Sequence, residues 1–233
     1  VRAMDAMQTI ARERWNVSLD SFTLTGASKR GWTAWLTAAT DKRVTAVVPM
    51  VIDVLNMSAQ MEHQRATWGA LSEQIRDYDS LALPTRLRGE RGAALLSLVD
   101  PFSYRKQLTQ SKLIILGTND RYWPLDALNL YWTGLPDPKR VLYVPNQGHR
   151  LQDLERVVGA VSAAHRYAAP GRPLPSTTWS FATSPRALDI QVKTARPAGR
   201  VLIWSARSDT PDFRDAHWSS SECTQKNGSY VCS

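Results

Sequence analysis

Apolar side chains follow two alternating patterns along the first two thirds of the chain. Apolar residues recur at helical spacing in three segments, residues 1–15, 29–40 and 151–168. Short runs of β-formers or of continuous apolar residues lie between them, at residues 21–25, 44–52, 112–116 and 140–144. Continuous apolar runs are typical of strands buried on both faces of a parallel sheet. The alternation therefore predicts an α/β fold with a doubly wound, mostly parallel sheet.

One connection is too long to be a plain crossover between neighbouring strands. Residues 55–109 are mixed in character and helical in places, with Pro84 and Gly89 as interruptions. We interpret this stretch as a helical insertion that lies over the strand ends as a lid. The alternative is a packing excursion that stays away from the functional site.

In the last quarter of the chain, apolar residues recur at every second position rather than at helical spacing or in continuous runs. Residues 169–175 (APGRPLP) have the composition of a linker, and three later segments, 178–183, 188–194 and 200–206, alternate apolar and polar residues. Such alternation is typical of half-buried antiparallel strands. We therefore expect residues 1–168 to be the C-terminal part of a larger α/β domain, followed by a linker at 169–175 and a small β-sandwich-like module at 176–233.

The central motif is residues 26–31 (GASKRG), between a predicted strand and a predicted helix. A nucleophile elbow needs this context, because its turn is sharp and lifts a serine hydroxyl above the sheet. Gly26 supplies the small residue two positions before Ser28, but the usual glycine two positions after is Arg30, and glycine follows at Gly31. The alternative is that Ser28 only caps the following helix.

Two further polar turns follow predicted strands, where ligands gather in open α/β sheets. Asp120 ends the turn after 112–116, and His149 lies in the turn after 140–144. The order Ser28, Asp120, His149 is that of α/β-hydrolases. We predict Ser28 as nucleophile, His149 as its base and Asp120 as the acid that orients His149. Asp53 and Asp126 are rival acids, the second more suited to capping a helix.

Other residues near the elbow are candidates for binding roles. The backbone N–H of Lys29 is the expected first oxyanion donor. The side chains of Lys29 and Arg30 either stabilise negative charge or simply face solvent. Trp123 and Trp132 are expected to line a pocket and stack on a sugar or aromatic acyl group. His63, His165 and His217 are far apart in sequence, so we predict neither a metal site nor a cofactor.

Composition narrows the function classes and the compartment. The formal net charge is +8, but the basic residues are scattered, so we expect no nucleic-acid partner. No stretch is long and apolar enough to predict a membrane span. Cys223 and Cys232 are favoured as a disulfide over two free thiols, which points to an oxidising compartment. The oligomeric state is left open.

These motifs resemble the PhoPQ-activated pathogenicity-related protein family of α/β-hydrolases. The resembling segments are 26–32 (GASKRGW), 117–120 with 130–135, 144–149 (VPNQGH), and 204–206 with 212–214 (DFR). The resemblance implies the triad Ser28, Asp120 and His149 and a secreted or periplasmic protein. The elbow also resembles that of glucuronoyl esterases, which implies a carbohydrate ester as one substrate class.

The sequence thus predicts a serine hydrolase that cleaves an ester or amide of a small molecule, glycan or peptide. The alternatives are a secreted peptidase, or a binding or signalling protein that keeps the scaffold without catalysis. A complete family member is expected to carry further strands before Val1, including the loop with the second oxyanion donor. We therefore expect this chain alone to be poorly active or inactive.

Overall fold

A computed structural model describes residues 1–168, 175–184, 187–226 and 228–232. Its first unit is a parallel sheet of four strands in the order β1-β2-β3-β4. The strands are β1 Phe22–Ala27, β2 Val44–Met50, β3 Ser111–Gly117 and β4 Lys139–Val144. Helices α1 Arg2–Trp15 and α2 Lys29–Thr40 flank β1 in the chain, and α7 Leu154–Ala168 follows β4. The predicted α/β fold is confirmed.

Each face of this sheet is covered by a different helix. Ala34, Trp35 and Ala38 of α2 pack with Val47 and Ile114 on one face. On the other face, side chains of α7 pack with strand residues; this second cluster includes Val48, Ile115, Val144, Val157 and Ala164. Burial on both sides explains the nearly continuous apolar runs of β2 and β3.

Two strand and helix ends differ from the predicted ones. Strand β2 ends at Met50, two residues earlier than predicted, because Val51 adopts a positive φ of 47° that ends the extended backbone. Helix α7 begins at Leu154 rather than residue 151, where Leu151 has a φ of 45°. Val51 and Leu151 both lie in loops that follow a strand, so the chain turns at both residues after leaving the carboxyl end of that strand.

The long connection between β2 and β3 is helical, as predicted. It contains α3 Met57–Trp68, α4 Arg76–Ser80, α5 Leu83–Arg86, α6 Glu90–Val99, and 3₁₀ helices Glu73–Ile75 and Pro101–Gln107. The carboxylate of Asp100 ties its two ends together, because it accepts hydrogen bonds from the backbone N–H groups of Asn56, Met57 and Phe102. Asp100 is buried, and this burial raises its pKa.

The C-terminal part is antiparallel β-structure. One sheet has the order β5-β6-β10-β9 and a second pairs β7 with β8. The strands are β5 Thr177–Ser184, β6 Ala187–Thr194, β7 Leu202–Ser205, β8 Ser219–Glu222, β9 Thr224–Lys226 and β10 Ser229–Cys232. Alternation in the sequence predicted the first three of these, while β8 and β9 are too short and polar to show it.

A small core of its own holds this β-rich part together. Tyr230 and a disulfide between Cys223 and Cys232 pack against side chains from both sheets, including Ile190, Val192 and Ile203. Residues 169–174 of the predicted linker lie outside the described residues. The division into domains at 1–168 and 176–233 stays a prediction.

Candidate active site

Ser28 occupies a strained turn between β1 and α2. Its φ of 54° and ψ of −129° are costly for a residue with a side chain. Its backbone N–H bonds the carbonyl of Met50, and its own carbonyl accepts the first bond of α2 from Trp32. The Ser28 side chain makes no capping bond. The hydroxyl is therefore not used to cap the helix, which was the alternative interpretation of this serine.

Two glycines make this turn sterically possible. A Cβ atom on Gly26 would lie 2.6 Å from the carbonyl carbon of Arg30. A Cβ on Gly31 would lie 2.7 Å from both the Gly26 carbonyl oxygen and Cγ2 of Ile52. Both distances are too short for any side chain to fit without a shift. Glycine at position 31 thus allows α2 to approach β1 closely, although position 30, the usual site, is arginine.

His149 and Asp120 form a hydrogen-bonded pair next to this turn. Nδ1 of His149 lies 2.9 Å from Oδ2 of Asp120. The other oxygen, Oδ1, accepts a bond of 2.9 Å from the backbone N–H of Tyr122. Because an ionised carboxylate only accepts, this pairing puts the proton on Nδ1 and leaves the lone pair on Nε2. Nε2 is buried and has no hydrogen-bond partner within the described part of the chain.

The aromatic ring of Tyr122 holds His149 from a second direction. The two ring centroids lie 4.0 Å apart, at an interplanar angle of 30°. Stacking and the Asp120 bond together restrict both tilt and rotation of the imidazole. Tyr122 was missed from the sequence, although its position two residues after a predicted acid was the available signal.

Asp53 and Asp126, the two alternatives to Asp120 as the acid of the triad, form hydrogen bonds with residues other than His149. Asp53, directly after β2, is buried and accepts a hydrogen bond from the Tyr131 hydroxyl. Burial raises the pKa of Asp53 to about 7, a rise that the Tyr131 bond opposes and the charge of Asp120 supports. Asp126 is exposed, and its Oδ1 lies 2.6 Å from Nε2 of His63. Asp126 precedes the 3₁₀ helix Ala127–Leu130 but makes no capping bond, contrary to the role expected from the sequence.

Ser28 and His149 line one cavity of about 200 Å³. Its other walls come from the first turn of α2, the end of β2, the helical insertion and the loop after β3. Trp123 lies in this wall, as predicted, and is buried. Trp132 instead packs against the core, with the Lys139 ammonium 5.2 Å from its ring centroid.

Lys29 and Arg30, the two basic residues of the elbow, differ in whether they line the cavity. Lys29 contributes to the cavity wall although it is exposed, whereas Arg30 is exposed and does not line the cavity. The backbone N–H of Lys29 is at the first position of α2, where N–H groups have no partner within the helix. The positive end of the helix dipole lies at the same point. This end of α2 can therefore bind negative charge that develops beside Ser28.

Backbone from the C-terminal part closes around the two loops that carry Asp120 and His149. The side-chain amide of Asn119 donates to the carbonyls of Phe213, Arg214 and Ala216, at 3.2, 3.3 and 2.7 Å. The side chain of Asn146 pairs with Trp218 through two bonds of 2.7 and 2.8 Å. The neighbours of both candidate catalytic residues thus depend on a segment more than 70 positions away.

Salt bridges extend this contact to the helical insertion. The guanidinium of Arg214 binds Glu73 at 3.1 Å and lies 4.2 Å above the ring of Trp68. Arg121, next to Asp120, binds both Glu73 and Asp215. The insertion, the Asp120 loop and residues 212–215 are therefore joined by charge as well as by backbone bonds.

Sequence comparison assigns the chain to a family. Residues 1–214 match the PhoPQ-activated pathogenicity-related proteins. The chain belongs to the PhoPQ-activated pathogenicity-related protein family. The predicted resemblance is thereby confirmed. Segment 212–214 carries part of this resemblance. It contacts Glu73 through Arg214 and supplies two of the carbonyls bound by Asn119.

A curated protein that the chain also matches has a name that differs from the description of the family. The chain is 30% identical over 223 residues to autocrine proliferation repressor protein A of Dictyostelium discoideum. The match covers 92% of this chain and 45% of that protein. The PhoPQ-related chain therefore spans less than half the length of the curated relative that it matches.

Solved structures share the fold of this PhoPQ-related chain. An acetyl xylan esterase from Paenibacillus sp. R4 superposes with a TM-score of 0.52 and 19% identity, covering 70% of this chain and 50% of the esterase. A puromycin-hydrolyzing peptidase of Mycobacterium tuberculosis gives a TM-score of 0.50 and 18% identity, covering 73% and 25% of the two chains. The chain has the α/β-hydrolase fold.

Neither a metal site nor a membrane helix is found in the part of the chain that the structure describes. Within residues 1–168, 175–184, 187–226 and 228–232, no group of three or more His, Cys, Asp or Glu side chains converges. His63 lies beside Asp126, and His165 contacts Thr23. Over the same residues, no helix is long and apolar enough to cross a membrane.

Proposed function

We propose that the protein is a serine hydrolase in which Ser28, His149 and Asp120 form the catalytic triad. The observation that carries this proposal is the shared cavity of Ser28 and His149, with Asp120 bound to the far nitrogen of the imidazole. Ser28 has the backbone of a nucleophile elbow and a hydroxyl that is free of a capping bond. An activated serine also needs a hydrogen bond from Oγ to its base, which Nε2 of His149 does not accept in the part of the chain that the structure describes, so the hydroxyl must approach Nε2 when substrate binds.

The proposed reaction proceeds through an acyl-enzyme. Oγ of Ser28 attacks the carbonyl carbon of an ester or amide while Nε2 of His149 accepts the hydroxyl proton. The negative oxygen of the tetrahedral intermediate is stabilised by the Lys29 N–H at the start of α2. His149 then gives its proton to the leaving alcohol or amine, and the C–O or C–N bond breaks. Water repeats the sequence on the acyl-enzyme and releases the acid.

Labelling with a fluorophosphonate probe tests the proposal on the full-length protein. We expect the wild-type protein to react and both Ser28→Ala and His149→Ala to lose the reaction. His165→Ala is the matched control, because that histidine is exposed and contacts only Thr23 among the bonds described. A folded full-length protein that does not react would refute the proposal.

A signalling function is the second candidate, and one comparison favours it. The 30% identical relative is described as an autocrine proliferation repressor, which is a signalling role. In that case the fold would be a scaffold for a receptor contact, and Ser28→Ala would keep full signalling activity. An assay of growth repression with purified wild-type and Ser28→Ala protein separates the two functions.

We further propose that the protein acts outside the reducing cytosol, secreted or in a periplasm. The Cys223–Cys232 disulfide supports this, since disulfides persist in oxidising compartments.

A further inference from the structure

The chemistry of the cavity beside Ser28 differs from that of a sugar-binding site. Apart from Ser28, Lys29 and His149, its wall consists of aliphatic, methionine, proline and aromatic side chains. The helical insertion supplies most of them, for example Met57, Met61, Leu87 and Leu95. Ile52 and Val54, on either side of the buried Asp53, also line the cavity.

A sugar ring in this space would lose hydrogen bonds to water without replacement. Each buried hydroxyl without a partner costs free energy, and the wall offers few polar atoms. The indole nitrogen of Trp32 is already bound to the carbonyl of Val99, at 2.7 Å. An apolar chain, in contrast, gains free energy for every methylene that leaves water. The carbohydrate substrate expected from the elbow motif is therefore not favoured at this position.

From these walls we infer that the cavity binds the acyl group of the substrate, and that this group is an apolar chain of about six to eight carbons. A group of the size of a water molecule takes about 30 Å³ in a liquid. A cavity of about 200 Å³ therefore holds six or seven groups of methylene size, which corresponds to an acyl group of about six to eight carbons according to whether the carbonyl carbon at Ser28 lies inside the cavity. The acyl group is the part of the substrate that stays on Ser28 until water arrives. An apolar cavity beside Ser28 suits it better than the leaving group, which must depart first.

This inference rests on the proposed serine hydrolase and names its substrate class. The test is the hydrolysis of p-nitrophenyl esters from acetyl to palmitoyl by the full-length protein. We expect kcat/KM to rise about fourfold for each added methylene until the cavity is full at about six to eight carbons, and then to stop rising. A maximum at acetyl, or a flat profile, would overturn the inference.

A variant that fills the cavity gives a second readout. In Met57→Trp the larger ring takes up space in the wall, so the octanoyl-to-acetyl ratio of kcat/KM should fall at least tenfold. Leu98→Trp is the matched control, because Leu98 is 67% exposed on α6 and lies outside the wall. An unchanged ratio in a folded Met57→Trp protein would contradict the assigned cavity.

The failures of the two proposals are distinguishable. Absence of fluorophosphonate labelling refutes the serine hydrolase, and the acyl inference with it. Labelling of Ser28 combined with a flat or acetyl-centred profile, or with no ester hydrolysis, refutes only the apolar acyl group.

Discussion

The carboxylate of Asp120 is the one charged group that bonds His149 among the residues that the structure describes. The bond from Nδ1 to Oδ2 measures 2.9 Å, and the second carboxylate oxygen is fixed by the Tyr122 N–H. In Asp120→Asn the side-chain amide can present a donor to Nδ1, which favours the tautomer with the proton on Nε2. We expect the rate of fluorophosphonate labelling to fall, by up to roughly 10⁴-fold, while the protein stays folded.

The control for Asp120→Asn is Asp126→Asn. Asp126 is a nearby exposed aspartate that contacts His63 rather than His149. We expect its labelling rate to match that of the wild-type protein. Equal labelling rates of Asp120→Asn and the wild-type protein would show that Asp120 does not orient the base.

Asp53 makes the stability of the protein depend on pH. Burial raises its pKa from 3.8 to about 7, with Tyr131, Tyr143 and Asp120 as its titratable neighbours. Between these two values the folded protein holds a proton that the unfolded chain has released. Raising the pH therefore favours unfolding, and the free energy of unfolding falls between pH of about 4 and about 7.

Asp53→Asn removes this titration and keeps an oxygen for the Tyr131 hydroxyl. We expect the variant to gain stability relative to wild type as pH rises from 5 to 8, by a few kcal/mol in urea unfolding. Asp209→Asn, at an exposed aspartate, should give no pH-dependent gain. A constant difference between Asp53→Asn and wild type across this range would contradict the protonated buried acid.

Sequence reasoning could name the residues of the candidate site because they follow recognisable strands. Ser28, Asp120 and His149 each come within five residues after the carboxyl end of a strand, β1, β3 and β4 respectively. Such reasoning could not find the partner of Asp53, because Tyr131 lies 78 positions away in a different element. It also missed Tyr122, because the stacking of Tyr122 on His149 depends on how the loop after β3 and the loop after β4 are placed in the folded protein.

At the scale of elements, the close packing of α2 on β1 depends on Gly31. In Gly31→Ala the new Cβ meets a backbone oxygen and Cγ2 of Ile52, both at 2.7 Å. We expect a loss of about 1–3 kcal/mol from overpacking, partly offset by the roughly 1 kcal/mol that alanine gains in a helix. Because α2 must shift, labelling at Ser28 should slow as well.

Gly159→Ala on α7 is the matched variant for this prediction. No atom of the described residues lies within 4 Å of a Cβ at that position, so the expected change is in helix propensity. We expect thermal denaturation to show stabilisation of up to about 1 kcal/mol. A neutral or stabilising Gly31→Ala would mean that α2 does not pack as closely as described.

The helical insertion shows how far pattern alone can reach. Its length and composition predicted helices, and the structure has helices there, several of which line the cavity beside Ser28. The apolar wall that it gives the cavity was not predicted, because short helices such as α4 and α5 show no clear period. The side chains that line the cavity come from several such pieces at irregular spacing.

At the scale of the whole molecule, the β-rich part is joined to the candidate site through Asn119. Its amide donates to three backbone carbonyls of residues 213, 214 and 216. Asn119→Ala leaves the carbonyls of residues 214 and 216 without this donor, while the carbonyl of residue 213 keeps its bond from the Ala216 N–H. The variant should cost about 1–3 kcal/mol of stability. Asn119→Asp places a carboxylate against three carbonyl oxygens and should cost more than the alanine variant.

Chemical unfolding measures whether stability falls from wild type to Asn119→Ala to Asn119→Asp, and labelling rates measure the effect on the candidate site. Asp120 is the next residue in the chain, so both variants should also slow labelling, and Asn119→Asp should slow it more. If Asn119→Asp proved as stable and as reactive as wild type, the contact with residues 213–216 would not exist in solution. These contacts span more than 90 positions and leave no local pattern, so sequence analysis could not reveal them.

The central claim is that Ser28 is an activated nucleophile, and mass spectrometry of the labelled full-length protein tests it most directly. Trypsin cleavage after Arg14 and Lys29 yields peptide 15–29, which also contains Ser18 and Ser21 as internal controls. We predict one fluorophosphonate adduct per chain, located by fragmentation on Ser28. An adduct on Ser18, Ser21 or any other residue, or no adduct on folded protein, would contradict the claim.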